Sequence, residues 1–194
     1  MKYNILIAGV GGQGVVLASR VLALAAMKTG FHVSTAETIG MSQREGSVSS
    51  HIRIGEEISG SLIPVGQADL LLGLEPAETV RNLFYLKKDG KVLVNTHAIP
   101  PASRSPGSPE YDPSALLSFL KAHCPGLLCF DFTGLAEKAG TSKAANIAML
   151  GAATSTGALP FSLETLQAVL NAAIPEKHRA VNRDAFEMAM KRIS

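Results

Sequence analysis

The sequence predicts an α/β protein, a three-layer α/β/α sandwich around a mixed, mostly parallel sheet, and three observations carry that prediction. Short apolar runs of strand length alternate with longer helical stretches along most of the chain. The first run, residues 3–8, passes through Gly9-Val10-Gly11-Gly12-Gln13-Gly14 into a helical stretch at 15–27. A later run, residues 47–54, alternates with period two: Val48, Ser50, Ile52 and Ile54 on one face, Ser49, His51 and Arg53 on the other. That pattern marks a half-exposed strand in an antiparallel pairing, so the sheet is expected to be mixed.

Each element follows in order. After the first helix, Lys28-Thr29-Gly30 supplies a cation in the last turn and then a glycine stop. Residues 31–37 form a second strand. A polar loop, 38–46, replaces the crossover helix expected at this point in a doubly wound fold. The alternating strand comes next, with 58–63 expected to pair against it. Asp69-Leu70-Leu71-Leu72-Gly73-Leu74 is a buried strand, and Glu75-Pro76-Ala77-Glu78 opens a helix reaching Leu86. Asp89-Gly90 then turns into a strand at 91–95. Residues 99–113 hold Pro100, Pro101, Pro106, Pro109 and Pro113, a functional flap or, as we favour, a plain solvated loop. A helix at 114–123, a strand at 127–132 and helices at about 142–155, 162–173 and 176–192 complete one domain over residues 1–194.

Composition excludes several classes of function. At 194 residues the chain buries a proper core without covalent staples. Aromatic residues are few and Trp is absent, so that core is aliphatic and suits helices on a sheet. A net charge of +2 is too weak to imply nucleic acid or an anionic membrane as partner. Cys124 and Cys129 are too few for a disulfide framework or for an iron–sulfur cluster, which takes four thiolates, and read as buried thiols. The five histidines lack metal-ligand spacing, and neither a G-x-S-x-G elbow nor a Walker lysine is present. Met1-Lys2-Tyr3 leads straight into the first strand with no room for a signal peptide, and no apolar run is long enough to span a bilayer. The expectation is a cytoplasmic chain.

Two groups of residues are candidates for binding. A helix opening at Gly14 aims unpaired N–H groups and the positive end of its dipole into the space above the turn, where an anion is favoured. Gly9, Gly11 and Gly14 carry the dinucleotide-fingerprint spacing, so Gly11, Gly12, Gln13 and Gly14 read either as an anion cradle or as a tight strand-to-helix junction. Glu37 stands where a dinucleotide fold holds a ribose, which keeps a free-standing NAD(P)- or flavin-binding oxidoreductase open as an alternative. The second group is Gln43, Arg44 and Arg53, expected on an exposed rim beside the glycine turn, with guanidinium forks suited to carboxylate or phosphate. The chain supplies no self-contained nucleophile, base and oxyanion hole, which favours a subunit that completes another protein's active site. The first helix is apolar nearly all round and needs a second neighbour, another helix of this chain or another subunit. In isolation the chain is open to forming a homo-oligomer.

Taken together, Gly9–Gly14, Gly40-Met41-Ser42-Gln43-Arg44, Ser47-Val48-Ser49-Ser50-His51-Ile52-Arg53, Ala68-Asp69, Ala145-Asn146-Ile147-Ala148-Met149-Leu150-Gly151-Ala152 and Asn182 with Ala185-Phe186 resemble the gamma-type domain of the 2-oxoacid:ferredoxin oxidoreductases, nearest to its indolepyruvate branch. The family's usual Arg-Gly-Gly is Arg44-Glu45-Gly46 here, placing a carboxylate where close backbone approach is usual. The resemblance implies a multi-chain enzyme. Its larger alpha subunit carries thiamine diphosphate and [4Fe–4S] clusters, decarboxylates an aryl pyruvate, sends two electrons to ferredoxin and passes the acyl group to coenzyme A. On this reading the present chain binds no cofactor tightly. It helps hold coenzyme A or the 2-oxoacid carboxylate, or it serves assembly alone.

Overall fold

The structure, a computed structural model, describes residues 2–40, 46–101 and 110–193. Six strands form one sheet: β1 (Lys2–Val10), β2 (Val33–Ile39), β3 (Ser47–Gly55), β4 (Ala68–Gly73), β5 (Leu86–Asn95) and β6 (Leu127–Phe130). Their order is β2-β3-β1-β4-β5-β6. β1, β4, β5 and β6 run parallel, while β3 is antiparallel to both its neighbours. Seven α-helices are described: α1 (Val15–Lys28), α2 (Pro76–Arg81), α3 (Pro113–His123), α4 (Phe132–Ala139), α5 (Ala145–Ser155), α6 (Leu163–Ala173) and α7 (Glu176–Ile193). The expected mixed, mostly parallel α/β/α sandwich is what forms.

Alternation along β1 divides the core. Ile5 and Ile7 enter a large cluster with α1 and α4–α7, whereas Leu6 and Ala8 enter a smaller one under α2 and α3. Both faces of the central strands are covered, so they read as near-continuous apolar runs.

β3 departs from the expected half-exposed strand. His51 and Arg53 are each only 2 % exposed. Residues 58–63 form no strand, because β1 and β2 already occupy both edges of β3. They fold instead over its polar face: Ile63 N–H donates to His51 Nδ1 at 3.2 Å and the Ser34 and Ser61 hydroxyls bond at 2.7 Å.

Several boundaries also differ. The second strand, expected at 31–37, runs from Val33 to Ile39 and takes in the first two residues of the expected polar loop. The helix expected to reach Leu86 stops at Arg81, where the Asn82 side chain donates to the Glu78 carbonyl and a 3₁₀ turn, Leu83–Tyr85, follows. Asp89 and Gly90 lie inside β5, in an irregularity where β4 advances from Ala68 to Leu70 while β5 advances from Leu86 to Lys91. β6 ends at Phe130, and the unpredicted α4 begins immediately, capped by Asp131 accepting from Gly134 N–H at 2.8 Å.

Candidate functional site

β1 sends its crossover helix, α1, to one face of the sheet and β4 sends α2 to the other. A crevice opens where such connections diverge, beyond the carboxyl ends of the strands. Here it holds about 210 Å³ and is lined by Gly12, Asn95, His97, Thr133, Ser142 and Lys143, among others. Gly14 is the N-cap of α1 and offers no side chain to its first-turn N–H groups. A Cβ added at Gly12 would meet nothing within 4 Å. Lys143, exposed at the start of the segment leading into α5, supplies a cation on the same rim. The crevice therefore combines the open backbone of the glycine turn that leads into α1 with one ammonium, a set suited to a phosphate or carboxylate.

Several expected site residues serve the architecture of this rim. Gln13 Oε1 accepts from Val10 N–H at 2.8 Å and its Nε2 donates to the Leu74 carbonyl at 2.8 Å, so both ends of the amide tie β1 to the end of β4. Gly11 N–H donates to the Gly46 carbonyl at 2.9 Å, which ties the residue before β3 to the glycine turn. Gln43 and Arg44 lie outside the described residues. Gly14 adopts φ +77°, and a side chain there would overlap the Asn146 amide of α5, which donates to the Gly14 carbonyl at 3.0 Å. Its close neighbour is α5 and not the sheet.

Arg53 corrects the expectation of a rim position. It pairs with Asn4 near the start of β1, at the opposite end of the sheet from the glycine turn. Its Nη1 donates to the carbonyls of Ser59, Gly60 and Leu62 at 2.8, 2.8 and 3.3 Å, and its Nε to Asn4 Oδ1 at 3.3 Å. Glu37 is also displaced from a ribose-binding position. β3 lies between β2 and β1, so Glu37 stands two strand spacings, about 10 Å, from the strand that feeds the glycine turn.

The structure adds residues that local patterning does not mark. Asn95, at the end of β5, accepts from Phe132 N–H at 3.0 Å and Thr133 N–H at 3.3 Å through Oδ1, joining α4 to the crevice floor. Beside the turn, the buried Glu75 caps α2 by accepting from Glu78 N–H at 2.9 Å and also accepts from the Tyr111 hydroxyl. Burial and the Glu75 carboxylate push the Tyr111 phenol well above its ordinary range. Glu78 accepts from the Ser47 hydroxyl at 2.6 Å and pairs with Arg81. Burial raises the thiol pKa values of Cys124 and Cys129 and keeps both thiols protonated. Among the described residues no cluster of three His, Cys, Asp or Glu side chains could hold a metal ion, and no helix is long and apolar enough to cross a membrane.

Fold and crevice define the class: an α/β domain, covered on both sheet faces, with an anion-sized opening where its crossovers diverge. The chain belongs to the pyruvate ferredoxin/flavodoxin oxidoreductase family, whose profile matches residues 4–192. It is 40 % identical over 193 residues to an indolepyruvate oxidoreductase subunit IorB of Pyrococcus horikoshii, covering 98 % of this chain and 95 % of that one. A subunit of the same name from Methanothermobacter thermautotrophicus is 40 % identical over 187 residues, covering 96 % and 95 %. The fold is similar to the crystal structure of a keto/oxoacid ferredoxin oxidoreductase gamma subunit from Geobacter sulfurreducens, with a TM-score of 0.71 and 26 % identity over 98 % of each chain.

Proposed function

We propose that this chain is the small subunit of an indolepyruvate (arylpyruvate):ferredoxin oxidoreductase. The observation that carries the reading is near-full-length similarity, at 40 % identity, to subunits named for indolepyruvate oxidation. In this reading a larger alpha subunit holds thiamine diphosphate and [4Fe–4S] clusters, which supply the decarboxylation and the route for electrons to ferredoxin. Coenzyme A is the co-substrate. The present chain contributes the crevice at the head of α1. The glycine-turn backbone and Lys143 orient a phosphate of coenzyme A, the open backbone at Gly12 leaves room for it, and Asn95 fixes the crevice floor by holding α4 to β5. Such placement holds the co-substrate in register while the cofactor performs the bond breaking.

Co-expression with the larger subunit tests the assignment. Indolepyruvate- and coenzyme A-dependent reduction of ferredoxin is expected only when both chains are present. Turnover by the larger subunit alone at the same rate, or by this chain alone, overturns it.

A further inference from the structure

The β2 edge of the sheet is open and takes no part in the crevice. β2 is outermost and pairs through one side only, with β3. In an antiparallel ladder, residues whose backbone groups face the partner alternate with residues whose groups face away. Gly40 N–H donates to the Ser47 carbonyl at 2.8 Å and Gly55 N–H to the His32 carbonyl at 2.9 Å. Even-numbered residues of β2 therefore bond to β3, and the N–H and C=O groups of Val33, Thr35, Glu37 and Ile39 point away from the sheet. The edge lacks the usual protection, having neither proline nor lysine nor a register shift over its seven residues.

The flanking surface is mixed, with apolar side chains beside the exposed Thr35 and Glu37. Val33 lies opposite Ile54 and Ile39 opposite Val48, which puts the odd-numbered side chains on the face that carries α1. Ile39 is 65 % exposed there. α1 packs on β1, β2, β3 and α6 yet leaves Val16, Leu24 and Met27 exposed, with the exposed Arg20 on the same helix face.

We propose that this edge pairs with the same edge of a second copy of the chain, β2 against β2 about a two-fold axis through Ala36, to form a continuous sheet. The register follows from the backbone. Outward-facing residues must meet outward-facing residues, so Thr35 faces Glu37 and Val33 faces Ile39 as hydrogen-bonded pairs, with Ala36 facing itself and Ser34 facing Thr38 between them. The side chains agree with it. Glu37, the one charge on β2, meets a threonine, and the exposed Ile39 meets Val33. An axis through residue 37 would set Glu37 against itself, and one through residue 35 would set it against Val33. The two-fold stands perpendicular to the sheet, so both copies of α1 lie on one face. Three strand spacings, about 14 Å, separate the two β3 strands. Helices in direct contact pack at about 8–10 Å, so the two α1 helices stand apart and the pairing is carried by the strands, with Ile39 against Val33.

Sedimentation of the full chain, alone and with its larger partner, together with four variants tests this. The wild type is expected to dimerise with rising concentration. Thr35→Glu places a carboxylate opposite Glu37 twice in the dimer and should raise the dissociation constant at least ten-fold, whereas Thr35→Lys should lower it. Ala36→Cys lies on the axis in a non-hydrogen-bonded pair, where Cα atoms stand about 4.5 Å apart, within disulfide range. It should cross-link on mild oxidation, while Thr38→Cys, facing residue 34, should not. A monomer at every concentration overturns the proposal. So does a dimer whose affinity moves the same way in both Thr35 variants, or one that cross-links through residue 38 but not 36; either places the contact elsewhere.

Discussion

At Arg53 a single guanidinium closes a loop that has no strand to pair with. Its donors meet the carbonyls of Ser59, Gly60 and Leu62 inside a buried site, so truncation strands acceptors as well as removing a charge. Arg53→Met is expected to cost about 3 kcal/mol, the scale of a buried charge-assisted contact left unmade. A urea midpoint equal to the wild type's would contradict this. His51, two residues earlier, works in its neutral form. Its Nδ1 accepts from Ile63 N–H, its ring meets Tyr85 edge-on at 5.0 Å, and burial lowers its pKa below the ordinary 6.5. The unfolded chain then binds the proton more readily than the folded one, so stability is complete above about pH 6.5 and falls as pH drops through that value. His51→Asn keeps an acceptor but cannot titrate. The stability difference between wild type and this variant, followed from pH 8 to 5, is expected to decline with acidity, and a flat difference would rule His51 out as the source.

At the scale of elements, the contact between α5 and α7 explains why small residues recur at 148, 151–153 and 185. Gly151 lies against the backbone of Phe186, so a Cβ there would overlap the Phe186 carbonyl. Gly→Ala inside a helix ordinarily gains close to 1 kcal/mol in propensity. Here the overlap is with backbone, which cannot rotate away, and overpacking costs about 1–3 kcal/mol. Gly151→Ala is therefore expected to destabilise the chain, and a raised melting temperature would show that the helices separate freely. This contact also shows where sequence patterning stops. Apolar runs locate β1, β4 and α1 because their partners cover them whatever those partners are. The period-two pattern of β3 correctly indicates antiparallel pairing but misplaces His51 and Arg53 in solvent, since the covering loop has no strand-like period. α4 escapes because Thr133 and Gly134 are weak helix formers, and its start depends on Asn95 and Asp131 acting as caps.

For the whole molecule, the crevice at the head of α1 depends on groups more than a hundred residues apart. Gly11 to Gly14 announce the turn from sequence. Lys143 carries no local mark, because only the return of α5 beside α1 places it there. The two readings of the turn, anion cradle and tight junction, separate at two positions. Gly14 belongs to the junction: φ +77° and the Asn146 overlap predict that Gly14→Ala destabilises the chain by roughly 1–3 kcal/mol, seen in denaturant unfolding with or without ligand. Lys143 is exposed, and exposed charges usually change stability by no more than about 0.5 kcal/mol, so Lys143→Ala should leave the free chain's melting temperature nearly unchanged. If the crevice holds a phosphate of coenzyme A, saturating coenzyme A stabilises the wild type by mass action, about 2.7 kcal/mol at a hundred times the dissociation constant. For a chain of this length that corresponds to a rise of roughly 5–10 °C. The rise should shrink by more than half in Lys143→Ala and persist in the assembled enzyme, where the same substitution raises KM for coenzyme A more than it lowers kcat. An equal rise in both proteins would place coenzyme A elsewhere and leave the glycine turn as the junction that brings α1 against α5.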